Sequence, residues 1–184
     1  MRVPYDKAGL SLREQQMVAK LADACTLLDK VYWQQSDLGG YWMYHTTQSA
    51  VLAKLFSING SRWDLADRNS PFSGEEPLVP GREIYPFGLT GAAIEKYAAA
   101  HPEQKDALYS PWTVLRSAPM DIPATQSQPV VHGVPEKLIT VPYHVAYAEW
   151  LAPMAADLRA AAKLSPDTGF ARYLNCLLYT SRCV

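Results

Sequence analysis

With 184 residues, 48% of them hydrophobic and 19% charged, the chain has a globular composition and is most simply one domain, long enough to bury a core. Its 17 Lys and Arg offset 18 Asp and Glu to a net charge of −1, and no basic run is present, so the electrostatic footprint of a nucleic-acid binder is missing. No stretch is long and apolar enough to span a bilayer, and Met1 to Asp6 lacks the apolar run of a secretory signal; the expectation is a cytoplasmic protein with no membrane partner.

Ser11 followed by Glu14 is a capping box and predicts a helix start. Met17, Leu21, Cys25, Leu28 and Tyr32, joined by Val18, Ala24 and Val31, recur at helical spacing and predict one apolar face, with Cys25 buried and reduced upon it. Gly39-Gly40 is read as the end of that helix. Tyr41-Trp42-Met43-Tyr44 then opens a second helical run through Val51, Leu52, Leu55 and Phe56. It carries His45, read as a satisfied or exposed histidine, because position 49 is Ser and supplies no second metal ligand.

From Ser57 to Thr90 the pattern breaks. Asn59-Gly60, Asn69-Ser70-Pro71, Ser73-Gly74 and Pro80-Gly81 are turn signals, which makes one connection longer than compact domains ordinarily tolerate. Trp63, Phe72, Tyr85 and Phe87 give it apolar surface to pack, so an ordered loop lining the surface is expected. Thr90 caps a third helix through Ile94 and Tyr97, and Pro102 limits it near His101. Pro102 to Leu108 adds a turn or short helix. Trp112 to Leu115 and Leu138 to Val141 are the strand candidates. Between them, Ser117 to Pro135 reads as a loop with a turn at His132-Gly133. Helical spacing returns from Pro142 through Val145, Ala148, Leu151, Ala155, Leu158 and Ala162, with a kink or split expected at Pro153. Ser165-Pro166-Asp167 starts a last helix with Pro at its first position, and Phe170, Tyr173, Leu174 and Leu177 form its core stripe. The fold class is therefore mainly α with a few short strands, an α+β arrangement.

The chemistry of the chain is sparse. His45, His101, His132 and His144 are scattered and none is followed by Glu; Cys25, Cys176 and Cys183 include no closely spaced pair; no GxSxG or glycine-rich phosphate loop occurs. The residues with functional promise are Asn59, Arg62, Trp63 and Asp64, which put an amide, a fixed cation, an indole and a carboxylate into one short loop able to hold an extended peptide. The competing reading has Arg62 and Asp64 capping the loop internally while Trp63 anchors it. Arg116, after the first strand candidate, has the same standing, with a surface salt bridge as its alternative.

Four segments carry a resemblance. Ile58-Asn59-Gly60-Ser61-Arg62-Trp63-Asp64-Leu65, then Asn69, Pro71-Phe72 and Tyr85-Pro86 before Thr90, resembles the "INYGPWDRLDG…PF…FYPxDMT" segment of bacterial proteins of the dipeptidyl peptidase III family. Gln16 to Gln35 resembles that family's first long helix, Ser110 to Arg116 its "SPYTVIRR", and Val141-Pro142-Tyr143 its "VPYSxxY". The pieces occur in order and cover most of Leu10 to Leu174. The resemblance implies part of a two-lobed zinc peptidase that releases dipeptides from peptide N-termini, with peptide as substrate and residues 1–175 as its N-terminal part. In that family the HExxGH helix and the further glutamate ligand lie C-terminal of this region. This chain is therefore expected to bind no zinc and to be inactive alone, and its last helix to expose an apolar stripe. Residues 176–184 depart from the family's continuation and are read as a non-native tail. The alternatives are a free-standing helical module that binds a partner peptide, and the peptidase-like region attached to Nudix hydrolases.

Overall fold

A computed structural model describes residues 9–117, 131 and 133–180, with the side chains of 178–180 excluded. The elements run α1 (Leu12–Ser36), α2 (Leu38–Thr46), α3 (Ala50–Asn59), β1 (Trp63–Asp64), β2 (Ser70–Pro71), α4 (Gly91–Ala100), a single 3-10 turn (Pro102–Gln104), α5 (Lys105–Leu108), β3 (Thr113–Ser117), β4 (Leu138–Pro142), α6 (Tyr143–Ala146), α7 (Ala148–Leu164) and α8 (Thr168–Thr180). The mainly helical class with a few short strands is what the sequence predicts. The chain divides into two compact units, one of residues 1–30 with 147–184 and the other of residues 31–146.

In the first unit α1 begins as its capping box requires, the Ser11 N–H donating to Glu14 Oε2 at 2.8 Å and the Glu14 N–H to Ser11 Oγ at 3.3 Å. The Ser11 hydroxyl, which also donates to Glu14 Oε2, and the Ser11 N–H hold the Glu14 carboxyl below its ordinary pKa. The core joins buried Ala161, Ala162 and Leu174 to Met17, Leu21, Leu158, Phe170, Ala171 and Leu177. The expected exposed stripe on α8 is thus corrected: Leu174 is buried and Phe170 and Leu177 pack beside it, leaving Tyr173 exposed. Cys25 is also corrected, since it is exposed. Each residue turns about 100° around a helix, so a face centred on Met17, Leu21 and Ala24 leaves the next position outside. Lys20 bridges Asp157 at 2.9 Å and Asp23 at 3.1 Å, which raises its pKa. Two boundaries shift. The helix after Pro142 breaks at Tyr147 and then runs through Pro153. At α8 the cap is Asp167, whose Oδ1 accepts from the Gly169 and Phe170 N–H groups, so Pro166 precedes the helix.

The second unit contains both small sheets. β3 and β4 pair antiparallel from Thr113 opposite Pro142 to Ser117 opposite Leu138. Their apolar face supplies Leu115 and Leu138 to a core completed by Tyr97, Ala98 and Leu108, with Leu89 and Ile94 against it. Thr90 caps α4 by accepting the Ala93 N–H, and His101 closes it, both as predicted. A further aromatic group lies around α2 and α3: Trp33 stacks on Tyr44 at 5.8 Å, Tyr44 tilts on Phe56 at 6.2 Å, and Phe56 meets Phe72 edge-on at 5.2 Å. The helical run predicted from Tyr41 to Phe56 is two helices, because Ser49 caps α3 by accepting the Leu52 N–H. Gly39-Gly40, read as a helix end, lies inside α2. The loop predicted between the two strands falls largely outside the described residues, as does His132 of its turn.

Candidate functional site: a charged cluster around Trp63

α3 ends at Gly60, which takes φ +60°. A side chain there would collide with the Tyr32 ring, so this position needs glycine on two counts. The turn delivers Arg62 to Asp37, the residue that caps α2. Asp37 is fully buried and Arg62 has 11% of its side chain exposed. The guanidinium grips the carboxylate through Nε at 3.0 Å and Nη2 at 3.0 Å, and the Arg62 backbone N–H adds a bond of 2.9 Å. The Gly40 N–H donates to the same carboxylate at 2.9 Å. Any side chain at Gly40 would strike the Asp37 carboxylate, which explains why that position is glycine inside a helix, and one at Gly39 would crowd the end of Arg62.

Trp63 is buried beneath two cations. Arg62 lies 5.2 Å and Arg82 5.5 Å from its ring centroid, and Arg82 also lies 5.8 Å from that of Phe87. The indole N–H donates to the Glu76 carbonyl at 2.7 Å, while Glu76 Oε2 stands 3.0 Å from Arg82 Nη1 and 3.8 Å from Arg62 Nη2. Glu83 accepts the Leu38 N–H at 3.2 Å and lies 3.7 Å from Arg82 Nε. Its burial pushes its pKa up, against the opposing pull of that N–H and of Arg82. Arg116 Nη1 donates to the carbonyls of Leu115, Glu83 and Ile84, and the Leu115 N–H donates to Ile84, tying this part of the loop to β3.

Of the residues singled out by sequence, Arg62 and Trp63 belong to this cluster, and Arg116 reaches it through the carbonyl of Glu83. Asn59 is buried and uses its amide locally, donating to the Leu55 carbonyl and accepting the Leu65 N–H. Asp64 accepts the Ala66 N–H in a short turn. Trp63 and Phe72 pack the loop as expected, whereas Tyr85 and Phe87 are exposed. Asp37, Glu76, Arg82 and Glu83 carry much of the network and were not singled out. Asp37 alone had a local signal, an Asx residue at a helix start.

The arrangement offers anchored cations and aromatic surface; it does not pair a nucleophile with a base. His45 sits edge-on to Tyr41 at 4.4 Å, and His101 stacks on Tyr97 at 4.2 Å. Among the described residues, no group of three or more His, Cys, Asp or Glu could hold a metal ion. The donors of a zinc centre are therefore not assembled among those residues. No helix among the described residues is long and apolar enough to cross a membrane.

No protein-family model and no curated protein matches the chain. Two solved structures do. DPP III from Caldithrix abyssi superposes with a TM-score of 0.78 at 24% identity, covering 96% of this chain and 32% of its own. Dipeptidyl-peptidase III from Corallococcus sp. strain EGB gives 0.76 at 25% identity, covering 98% of this chain and 32% of its own. The chain thus spans about a third of the length of the structures it matches, and over nearly all of its residues it has the fold of that third of a dipeptidyl-peptidase III.

Proposed function

We propose that the chain is the N-terminal, non-catalytic portion of a zinc-dependent dipeptidyl peptidase that releases dipeptides from peptide N-termini. The observation that carries this reading is the asymmetry of coverage: almost all of the chain superposes, on only a third of each relative. The order of the resembling segments, from the α1 sequence through Ser110 to Arg116 and Val141 to Tyr143, points the same way. The zinc ligands and the glutamate that would activate a metal-bound water then belong to polypeptide beyond this region. Within the complete protein, the part of these residues is to hold the loop that faces the peptide. Arg62 and Trp63 fix it from within, Asn59 and Asp64 shape its turns, and Arg116 ties it to β3.

The decisive experiment is to recover the reading frame downstream of Leu174, express the longer protein, and assay dipeptidyl-arylamide hydrolysis with and without a chelator. Chelator-sensitive release of dipeptides by the longer protein, with none from the 184-residue chain, is the expected result. A downstream sequence without an HExxGH-like helix and a further glutamate overturns the peptidase assignment.

A further inference from the structure

The two arginines on Trp63 are not held alike. Arg62 is committed to a fully buried carboxylate through its fork and its backbone. Arg82 rests against Trp63 and Phe87 with 19% of its side chain exposed, and the carboxylate on its outer edge is different. Glu76 has 62% of its side chain exposed, makes one bond of 3.0 Å to Arg82 Nη1, and reaches Arg62 only at 3.8 Å. The inner neighbour, Glu83, accepts a backbone N–H from Leu38 and stays with it. A fixed guanidinium, preorganised by stacking, therefore faces a carboxylate on a solvated side chain, and exposed ion pairs of that kind exchange readily with solvent and solutes.

We propose that Glu76 stands in for a ligand, and that Arg82 on its Trp63 and Phe87 support is a recognition site for the carboxylate of a peptide. Binding requires Glu76 to swing into water, and because its charge stays tethered beside the incoming carboxylate, neutralising Glu76 favours the ligand. The half-exposed Phe87 ring beside the guanidinium gives the site a second contact, suited to an apolar group next to the ligand's carboxylate. The chemistry is shared by a peptide C-terminus and by an aspartate or glutamate side chain. The site stands on its own geometry and does not depend on the peptidase reading.

Three probes separate the sources: acetyl-Gly-Phe with a free C-terminal carboxylate, the same peptide as its carboxamide, and acetyl-Asp-Phe carboxamide, whose only carboxylate is a side chain. Each is titrated into the 184-residue chain and into its Glu76→Gln variant. Binding is followed by the NMR shift of the Trp63 indole N–H, whose acceptor is the Glu76 carbonyl. Glu76→Gln alters only a solvated side chain, so the fold is preserved. The free acid is expected to bind the variant at least fivefold more tightly than the parent, and the plain carboxamide to bind neither. In the Glu76→Gln background, Arg82→Lys, which keeps the charge and loses the planar fork, is expected to weaken binding at least fivefold. Response to both acidic probes assigns the site to any carboxylate; response to the first alone narrows it to a C-terminus. No gain on Glu76→Gln, or equal response to the plain carboxamide, overturns the proposal.

Discussion

Replacing Asp37 by Ala should be among the most damaging single changes in the 31–146 unit. The carboxylate is fully buried and accepts from the backbone N–H groups of Gly40 and Arg62 as well as from the Arg62 fork. Loss of a helix cap costs about 1 kcal/mol, and breaking a buried ion pair by removing one partner costs about 3–5 kcal/mol because the other charge is stranded. Arg62 can recover part of this by moving toward Glu76, already at 3.8 Å, which places the expectation near the lower end, at about 3 kcal/mol. Domains of ordinary stability have about 5–15 kcal/mol to lose. The loss should lower the urea midpoint by about 1–3 M for an m-value of ~1–3 kcal/mol per M. Trp33, Trp42, Trp63 and Trp112 all lie in this unit, so intrinsic fluorescence reports its unfolding. The sharper check is a cycle with Arg62→Met: the double variant should be more stable than the sum of the singles by about 1–3 kcal/mol, since no charge is then stranded. A cost below about 1 kcal/mol for Asp37→Ala, or plain additivity, refutes the idea that this pair anchors the loop.

Gly40→Ala should destabilise by about 1–3 kcal/mol, because the added methyl drives into the Asp37 carboxylate and crowds Arg62; elsewhere inside a helix the same change stabilises, so its sign in urea unfolding is the test. Glu83→Gln should leave thermal stability near that of the parent at pH 4 and raise it at pH 8. The folded-state pKa of Glu83 is raised above its ordinary 4.5 by burial, so the stability tied to its protonated form is complete below that value and is lost as pH rises through the folded one, a loss the amide does not suffer. Melting curves across that range check this, and a constant difference between the two proteins refutes it. Calorimetric titration of zinc into the 184-residue chain should show no stoichiometric site, and arylamide hydrolysis should be absent with metal added. A micromolar or tighter site lost on replacing His45 or His144 would contradict this.

What the sequence made legible was mostly local. The Ser11 and Glu14 box, the Thr90 cap, the stop at His101 and Pro102, and the separate strand candidates at Trp112 to Leu115 and Leu138 to Val141 each depend on residues close together in the chain. Such signals survive without knowledge of the rest of the chain. The face of α1 shows the limit. Cys25, Leu28 and Tyr32 fit an apolar stripe as well as Ala24 and Val31 do, and only the positions of α7 and α8 select Met17 and Leu21 for the core they share. Periodicity gives a stripe wider than the one that is buried.

The charged cluster was half legible for a related reason. Arg62, Trp63 and Asp64 stood out because they crowd a loop, yet the residue that gives Arg62 its role, Asp37, lies 25 positions earlier. No local rule links the two. The diglycine at 39–40 was the missing clue. Read by propensity it ends a helix, since glycine costs about 1 kcal/mol in a helix interior relative to alanine. Read with the preceding aspartate it means something else: a capping carboxylate folded over the first turn so closely that no Cβ fits at Gly40, with Arg62 crowding both glycines. Arg62 grips that same carboxylate, so the pair of glycines and the cation in the distant loop are parts of one device. A glycine that breaks a helical pattern three residues after a capping Asx residue, as Gly40 does after Asp37, is accordingly better taken as a mark of crowding at a helix start than as a stop.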